Sequence, residues 1–122
     1  MRKHKTYKTG RLAEWASYFF LIMKGYRPLA RNFKVGKGTG AGEIDLIFKK
    51  GKTLVFVEVK YRRTLTDALH AITINNQQRT VRSSAVFLQR YPQYGTCDIR
   101  YDAVLLSPGR WPKHLPGAWR VL

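Results

Sequence analysis

Cysteine, acidic residues and long apolar runs are all scarce in this chain, and each scarcity excludes something. Cys97 is the only cysteine. There is therefore no intramolecular disulfide and no cysteine-based zinc site, and the residue reads as a small apolar side chain for burial. His4, His70 and His114 are scattered and lack the spacing of a histidine metal site. No stretch reaches the ~18 consecutive apolar residues that a membrane span requires. The basic start MRKHKTYKTGR runs into a helix bearing Glu14, with no small-residue cleavage site, which argues against a secretory leader. These absences predict a reduced, cytoplasmic protein with no membrane partner.

Seven Asp and Glu stand against 23 Lys and Arg, a formal net charge of +16. Self-repulsion on that scale opposes compaction, and so basic a surface points to a polyanionic partner. Nucleic acid is favoured over an anionic membrane, and DNA over RNA. The 122 residues fit one domain, since domains commonly run ~100–200 residues. With 44% hydrophobic residues the chain can bury a real core.

Residues 1–8 read as a mobile basic arm without periodicity. Thr9 can cap a helix running to about Lys24, where Gly25 stops it and Pro28 prevents its return. Two apolar stripes fit this helix. Leu12, Trp15, Ala16, Phe19, Phe20 and Met23 form one; Ala13, Ala16, Ser17, Phe20 and Leu21 form the other, and periodicity does not choose between them. A short strand follows near Leu29–Lys34. The loop to Gly42 carries glycines at 36, 38, 40 and 42 without the order of a phosphate cradle, and reads equally as a flexible basic loop near a nucleic-acid backbone. Thr73 opens a second long helix ending near Arg90, with Ile74, Gln78, Val81, Ala85 and Leu88 as its sheet-facing side. Ile99–Leu106 is a further strand, and the proline-rich tail an ordered wrap with a short edge strand. Helix, strands, helix, strand predicts an α/β layer sandwich.

The passage from Glu43 to Lys60 carries the chemistry. It reads as a hairpin turning at Lys50-Gly51-Lys52, with Asp45 in its first strand and Glu58 and Lys60 in its second. Alternation puts Glu58 and Lys60 on one face, and likewise Glu43 and Asp45. The plainer reading is a half-exposed sheet with surface ion pairs, each contributing only ~0–1 kcal/mol. The neighbours argue otherwise: Val55, Val57 and Val59 fill one face, while Leu54 and Phe56 lie on the side of Glu58. A carboxylate in an apolar row needs compensation. Asp45 and Glu58, with the carbonyl of Val59, form a donor set for one or two Mg²⁺ or Mn²⁺ ions. Lys60 is placed to orient an attacking water or to stabilise charge developing on phosphorus.

An Asp followed 13 residues later by Glu-x-Lys resembles the PD-(D/E)xK core of restriction-endonuclease-like nucleases. Gly10-x-x-x-Glu14, Gly25-Tyr26, Asn32, Gly42–Ile47, Phe56–Arg62, Ala71-Ile72-Thr73, Gln77, Arg100-Tyr101-Asp102 and His114-Leu115-x-x-Ala118-Trp119 follow in order. Together they are similar to the bacterial YraN family over nearly the whole chain. The resemblance implies a restriction-endonuclease-like three-layer sandwich with a central mixed β-sheet flanked by helices. It also implies Glu14 at the site, which selects the second helix stripe. Two positions depart from the pattern: Ile44 precedes Asp45 in place of proline, and Asn76 stands where a lysine is usual.

The expected catalytic residues are thus Asp45, Glu58 and Lys60, with Glu14, Glu43 and Gln77 in support. Tyr61, Arg62 and Arg63 are expected to contact a nucleic-acid backbone, and Arg79 and Arg82 to add phosphate contacts. Asp102 reads as a structural hydrogen-bonding residue. Trp111 and Trp119 read as core or edge caps rather than base-stacking platforms. The expected activity is Mg²⁺-dependent phosphodiester hydrolysis of branched or damaged DNA, with a homodimer able to cut two strands. The alternative is a non-catalytic nucleic-acid-binding module of the same fold.

Overall fold

The computed structural model describes residues 2–36 and 42–121, with side chains from residue 10 on. Most of the glycine loop, including Gly38 and Gly40, lies outside the described residues. Helix α1 spans Arg2–Met23. It starts earlier than the cap expected at Thr9 because nothing before Gly10 breaks a helix, and Lys and Arg are good helix formers. Its end is the one expected. Gly25 takes φ 92° and donates to Ile22 O at 2.9 Å, while Tyr26 N–H reaches Leu21 O at 3.0 Å. This left-handed glycine closure satisfies the last carbonyls and turns the chain toward the sheet.

The strands are β1 (Arg27–Lys34), β2 (Glu43–Lys50), β3 (Thr53–Tyr61), β4 (Asp98–Leu106) and β5 (Lys113–Trp119). They form one mixed sheet in sequential order, antiparallel except for the parallel pair β3–β4. A parallel pair needs a crossover. It is made by α2 (Leu65–His70) and α3 (Ile74–Arg90). Pro28 and Pro116 sit in the two edge strands, where a missing N–H is tolerated.

Two cores sandwich the sheet. Ala13, Leu21 and Tyr26 pack on Leu46, Phe48, Val55, Val57 and Val104 on the α1 side. Ile44, Ile47, Leu54, Phe56, Ala103 and Leu105 meet Phe87 of α3 on the other. The chain is therefore an α/β three-layer sandwich. Helix α1 buries the second stripe, with Ala13, Ser17 and Leu21 inside. The Ser17 hydroxyl donates to Ala13 O at 2.8 Å and so enters the core satisfied. Leu12, Trp15, Phe19 and Met23 face outward.

Helix α3 is rotated partway from the expected face: Val81 and Leu88 pack against the core as expected. Thr80, Ser83, Ser84 and Phe87 are buried, whereas Ile74, Gln78 and Ala85 are exposed. Small hydroxyl residues win these positions because their oxygens find local acceptors. Thr80 donates to Asn76 O at 3.0 Å, Ser84 to Val81 O at 2.6 Å, and Ser83 to Gly42 O at 3.2 Å. Helix α2 was not expected, although Thr64 caps it by accepting from Asp67 N–H at 3.0 Å, a Thr-x-x-Asp signal. Among the described residues no helix is long and apolar enough to cross a membrane.

Candidate active site

The site forms where β2 and β3 part. Their ladder runs from Lys50↔Thr53 to Leu46↔Val57 and stops there. Beyond it, the Val59 N–H donates to Asp45 Oδ2 at 2.8 Å, so a carboxylate takes a rung that a main-chain carbonyl would otherwise hold. Ile44 and Ile47 both belong to the α3-side core, although residues three apart cannot share a face of a regular strand. Strand β2 therefore turns over at Asp45. Opposite it on β1, between the pairs Arg31↔Leu46 and Phe33↔Ile44, Asn32 takes φ 51°. Asparagine is among the few residues that tolerate this left-handed conformation.

Glu58 and Lys60 leave β3 toward α3, and Lys60 Nζ lies 3.2 Å from Glu58 Oε1. Gly42, Glu43, Asp45, Glu58, Asn76, Arg79 and Thr80 line a cavity of about 190 Å³. Burial, and then the neighbouring charge of Glu58, push the Asp45 carboxyl well above its ordinary range, against the Val59 hydrogen bond. Burial likewise raises Glu58, against the opposing pull of Lys60 and Arg79. Glu14 approaches from α1. Its carboxyl is raised by burial and by Glu43, and a hydrogen bond from Asn32 and the charge of Arg31 oppose this. The left-handed turn at Asn32 thus serves a second acid of the same cluster.

Glu14, Glu43, Asp45, Glu58 and Lys60 are brought within electrostatic reach of one another, as the sequence suggested. Gln77 is not among the residues lining this cavity. It lines a separate one with Ile74, Gln78, Val81, Arg82, Arg120 and Val121. Arg82 lies there too, while Arg79, expected as a phosphate contact, lines the carboxylate cavity itself. A Cβ on Gly42 would come within 2.7 Å of Arg79 Nη2, so the glycine makes room for the guanidinium. Asn76, at the position where lysine is usual, lines the cavity and donates from Nδ2 to Ala71 O at 3.0 Å. Arg62 and Arg63 follow β3 and are exposed; Tyr61 is half-buried against the α1-side core.

Asp102 is fully buried and lies at the centre of a separate network. It accepts from Arg100 Nε and Nη2 at 2.8 Å each, from Gly117 N–H at 2.9 Å and from His114 Nε2 at 2.8 Å. Lys24 Nζ lies 2.6 Å from His114 Nδ1. Arg100 also donates to the Tyr26 hydroxyl at 2.6 Å. The network ties β4 and β5 to the end of α1, the structural role expected of Asp102. Trp119 is buried and stacks on Tyr101, also as expected. Trp111 departs from expectation: it is 85% exposed, in the turn between β4 and β5.

Residues 13–106 match the Uncharacterised protein family UPF0102. The chain belongs to this family. It is 44% identical over 114 residues to the UPF0102 protein amb4503 of Paramagnetospirillum magneticum, covering 93% of this chain and 88% of that protein. It is 42% identical over 120 residues to a UPF0102 protein of Methylorubrum extorquens, covering 98% and 91%. A UPF0102 protein of Parvibaculum lavamentivorans is 44% identical over 114 residues, covering 93% and 83%. The UPF0102 match spans Glu14, both hairpin strands, α3 and Asp102, so every residue of the cavity falls inside it. It ends before β5.

Proposed function

We propose that this protein is a divalent-metal-dependent nuclease of the PD-(D/E)xK superfamily, acting on DNA of branched or damaged structure in the cytoplasm. The observation that carries the reading is the Asp45–Glu58 carboxylate pair on parting strands with the Lys60 ammonium 3.2 Å from Glu58. The donor chemistry fits a hard cation. Two partly buried carboxylates are raised by burial, and Asp45 further by the charge of Glu58, a repulsion that Mg²⁺ or Mn²⁺ relieves. Among the described residues no three His, Cys, Asp or Glu side chains are grouped as a cage. Mg²⁺ commonly takes only one or two carboxylates and completes its shell with water and substrate oxygens.

Asp45, Glu58 and the Val59 carbonyl are the ligands of this reading, and the bound cation supplies Lewis-acid polarisation of the phosphodiester. The protein's own groups do the rest. Lys60 holds a compact positive charge where negative charge develops on phosphorus. Arg79 brings a second cation to the same cavity and can grip a phosphate oxygen by two N–H groups. Glu14 and Glu43 add negative charge that favours cation binding. The surrounding basic surface draws the polyanion in.

The test is hydrolysis of flap, junction and single-stranded DNA with Mg²⁺ or Mn²⁺ by the wild type, Asp45→Ala and Lys60→Ala. Cleavage by the wild type alone supports the reading. Equal cleavage by all three marks a contaminant and sinks it. A second reading, a nucleic-acid-binding module without catalysis, draws on the Lys60–Glu58 ion pair, in which the ammonium already compensates one of the two carboxylates. Calorimetry with Mn²⁺ separates the two, since a module binds DNA in a salt-sensitive manner without taking up the ion.

A further inference from the structure

Three features of the turn after β4 belong together. Pro108 and Gly109, the latter at φ 71°, form a tight turn closed by Arg110 N–H to Ser107 O at 3.3 Å. The Pro-Gly pair and the left-handed glycine are those of a type II turn. Pro112 then restricts Trp111 itself, because the residue before a proline is confined to extended backbone. Trp111 is thus an exposed indole on a stiffened support. Trp15 carries the Arg31 guanidinium at 3.8 Å from its ring, and Trp119 stacks on Tyr101. Trp111 makes no such contact among the described residues, and 85% of it is open.

Its surroundings are cationic. Arg110 and Lys113 flank it in sequence, and both are exposed. Arg62 N–H donates to Leu106 O at 3.0 Å, which fixes the start of Arg62-Arg63 beside the strand end from which the turn departs. Lys60 pairs with Leu105 and Tyr61 with Leu106. The turn therefore leaves the sheet at the same edge as the Glu58–Lys60 strand, one strand over, a spacing of ~4.8 Å. In parallel pairs this carboxyl-end edge is where ligands commonly bind. An exposed aromatic face with Arg110 and Lys113 beside it in the chain, Arg62-Arg63 at the neighbouring strand end and no acid in the turn suits a ligand that alternates anionic groups with planar rings.

We propose that Trp111 is a stacking platform for an unpaired nucleobase, with Arg62, Arg63, Arg110 and Lys113 holding the adjoining phosphates. The inference rests on the nuclease reading for its substrate class and refines it. Bases in an intact duplex are stacked on one another and offer no free face, so the platform favours single strands, flaps or junctions. Stacking on one aromatic side chain typically changes affinity by about 5- to 100-fold. A ring held by Pro-Gly and Pro loses little freedom on binding, which favours the contact further.

The experiment is titration of the full chain, in EDTA, with a 12-nucleotide poly(dT) strand and with a blunt duplex of equal length, following tryptophan fluorescence. The variants are Trp111→Phe and Trp111→Ala, with Trp15→Phe as control. Quenching by poly(dT) in the wild type and in Trp15→Phe, but not in Trp111→Phe, is expected. Trp111→Phe keeps an aromatic face and is expected to bind within about threefold of wild type, and Trp111→Ala about 5- to 100-fold more weakly. Duplex affinity stays unchanged. Equal loss on both DNAs, or no loss on the single strand, overturns the proposal. So does a Trp111 response to phosphatidylglycerol vesicles with none to poly(dT). Binding is read without metal, so failure here is separate from failure of catalysis: a protein that cleaves but shows no Trp111 response refutes the platform alone.

Discussion

Asp45 accepts the Val59 N–H at 2.8 Å, so one carboxylate oxygen closes the sheet where the two strands part and the other is free to face the cavity. The residue both closes the sheet and lines the cavity, and one substitution separates the two. Asp45→Asn keeps a carbonyl oxygen for Val59 and removes a charge that burial and Glu58 oppose. A carboxyl raised in the fold favours the native state at low pH and disfavours it as pH climbs past the ordinary value of 3.8. Metal-free Asp45→Asn is therefore expected to melt above metal-free wild type at pH 8, with the gap closing toward pH 4. Thermal melts in EDTA across that range check it. A variant melting below wild type at pH 8 refutes the account of the site as repulsive.

Lys60→Ala is expected to lower kcat by about 10²–10³-fold while leaving DNA affinity nearly unchanged. One charge among 23 contributes little to attraction. Both side chains of the pair are largely buried, 18% and 13% exposed, so its net effect on stability is the small difference between attraction and the cost of desolvation. Single-turnover cleavage beside equilibrium binding measures both. Loss of affinity in proportion to activity would make Lys60 a binding residue only.

Gly42→Ala is expected to resemble Arg79→Ala in part. A methyl group at 42 lands within 2.7 Å of the guanidinium, and the long arginine side chain gives way before the backbone does. Both variants should slow cleavage, Arg79→Ala by about tenfold or more on losing a charged hydrogen bond, and the double variant should be no worse than Arg79→Ala. Additive losses in a double-mutant cycle would show that the two act separately.

Asp102→Ala is expected to destabilise the fold by ~3–5 kcal/mol, since it strands Arg100, His114 and the Gly117 N–H around an emptied acceptor. Burial alone would raise this carboxyl, but the hydrogen bonds from Arg100, His114 and Gly117 outweigh it and hold it below its ordinary value. Its contribution is thus present above about pH 4 and lost as pH falls through the lowered folded value. Urea unfolding should show that acid-induced loss in wild type and a flatter profile in the variant. The pH profile of cleavage should stay the same.

The elements that carry strong local signals were legible in the sequence. Gly25 announced the end of α1, and the alternation of Val55, Val57 and Val59 against Leu54, Phe56 and Glu58 announced β3. The face of α3 was not. The spacing favours Ile74, Gln78, Val81, Ala85 and Leu88; Val81 and Leu88 do pack on the core, but the most buried side runs through Phe87 and hydroxyls whose partners, Asn76 O and Gly42 O, appear only in three dimensions. That rotation moved Arg79 into the site and Gln77 out of it. The inversion of β2 at Asp45 was equally hidden, because a strand that turns over still reads as a strand. Asn32 gave a faint hint. An asparagine inside a strand is the residue type that accepts a left-handed turn, and here it does so opposite Asp45.

On β3, Glu58 and Lys60 sit on one side and Val57, Val59 and Tyr61 on the other. The two-residue spacing that sets the acid beside the ammonium is also the spacing that sorts core from cavity. Chemistry and folding are written in the same beat. A single substitution on this strand disturbs one face, but a single-residue insertion or deletion after Val57 would drive charges into the α1-side core and valines into the cavity.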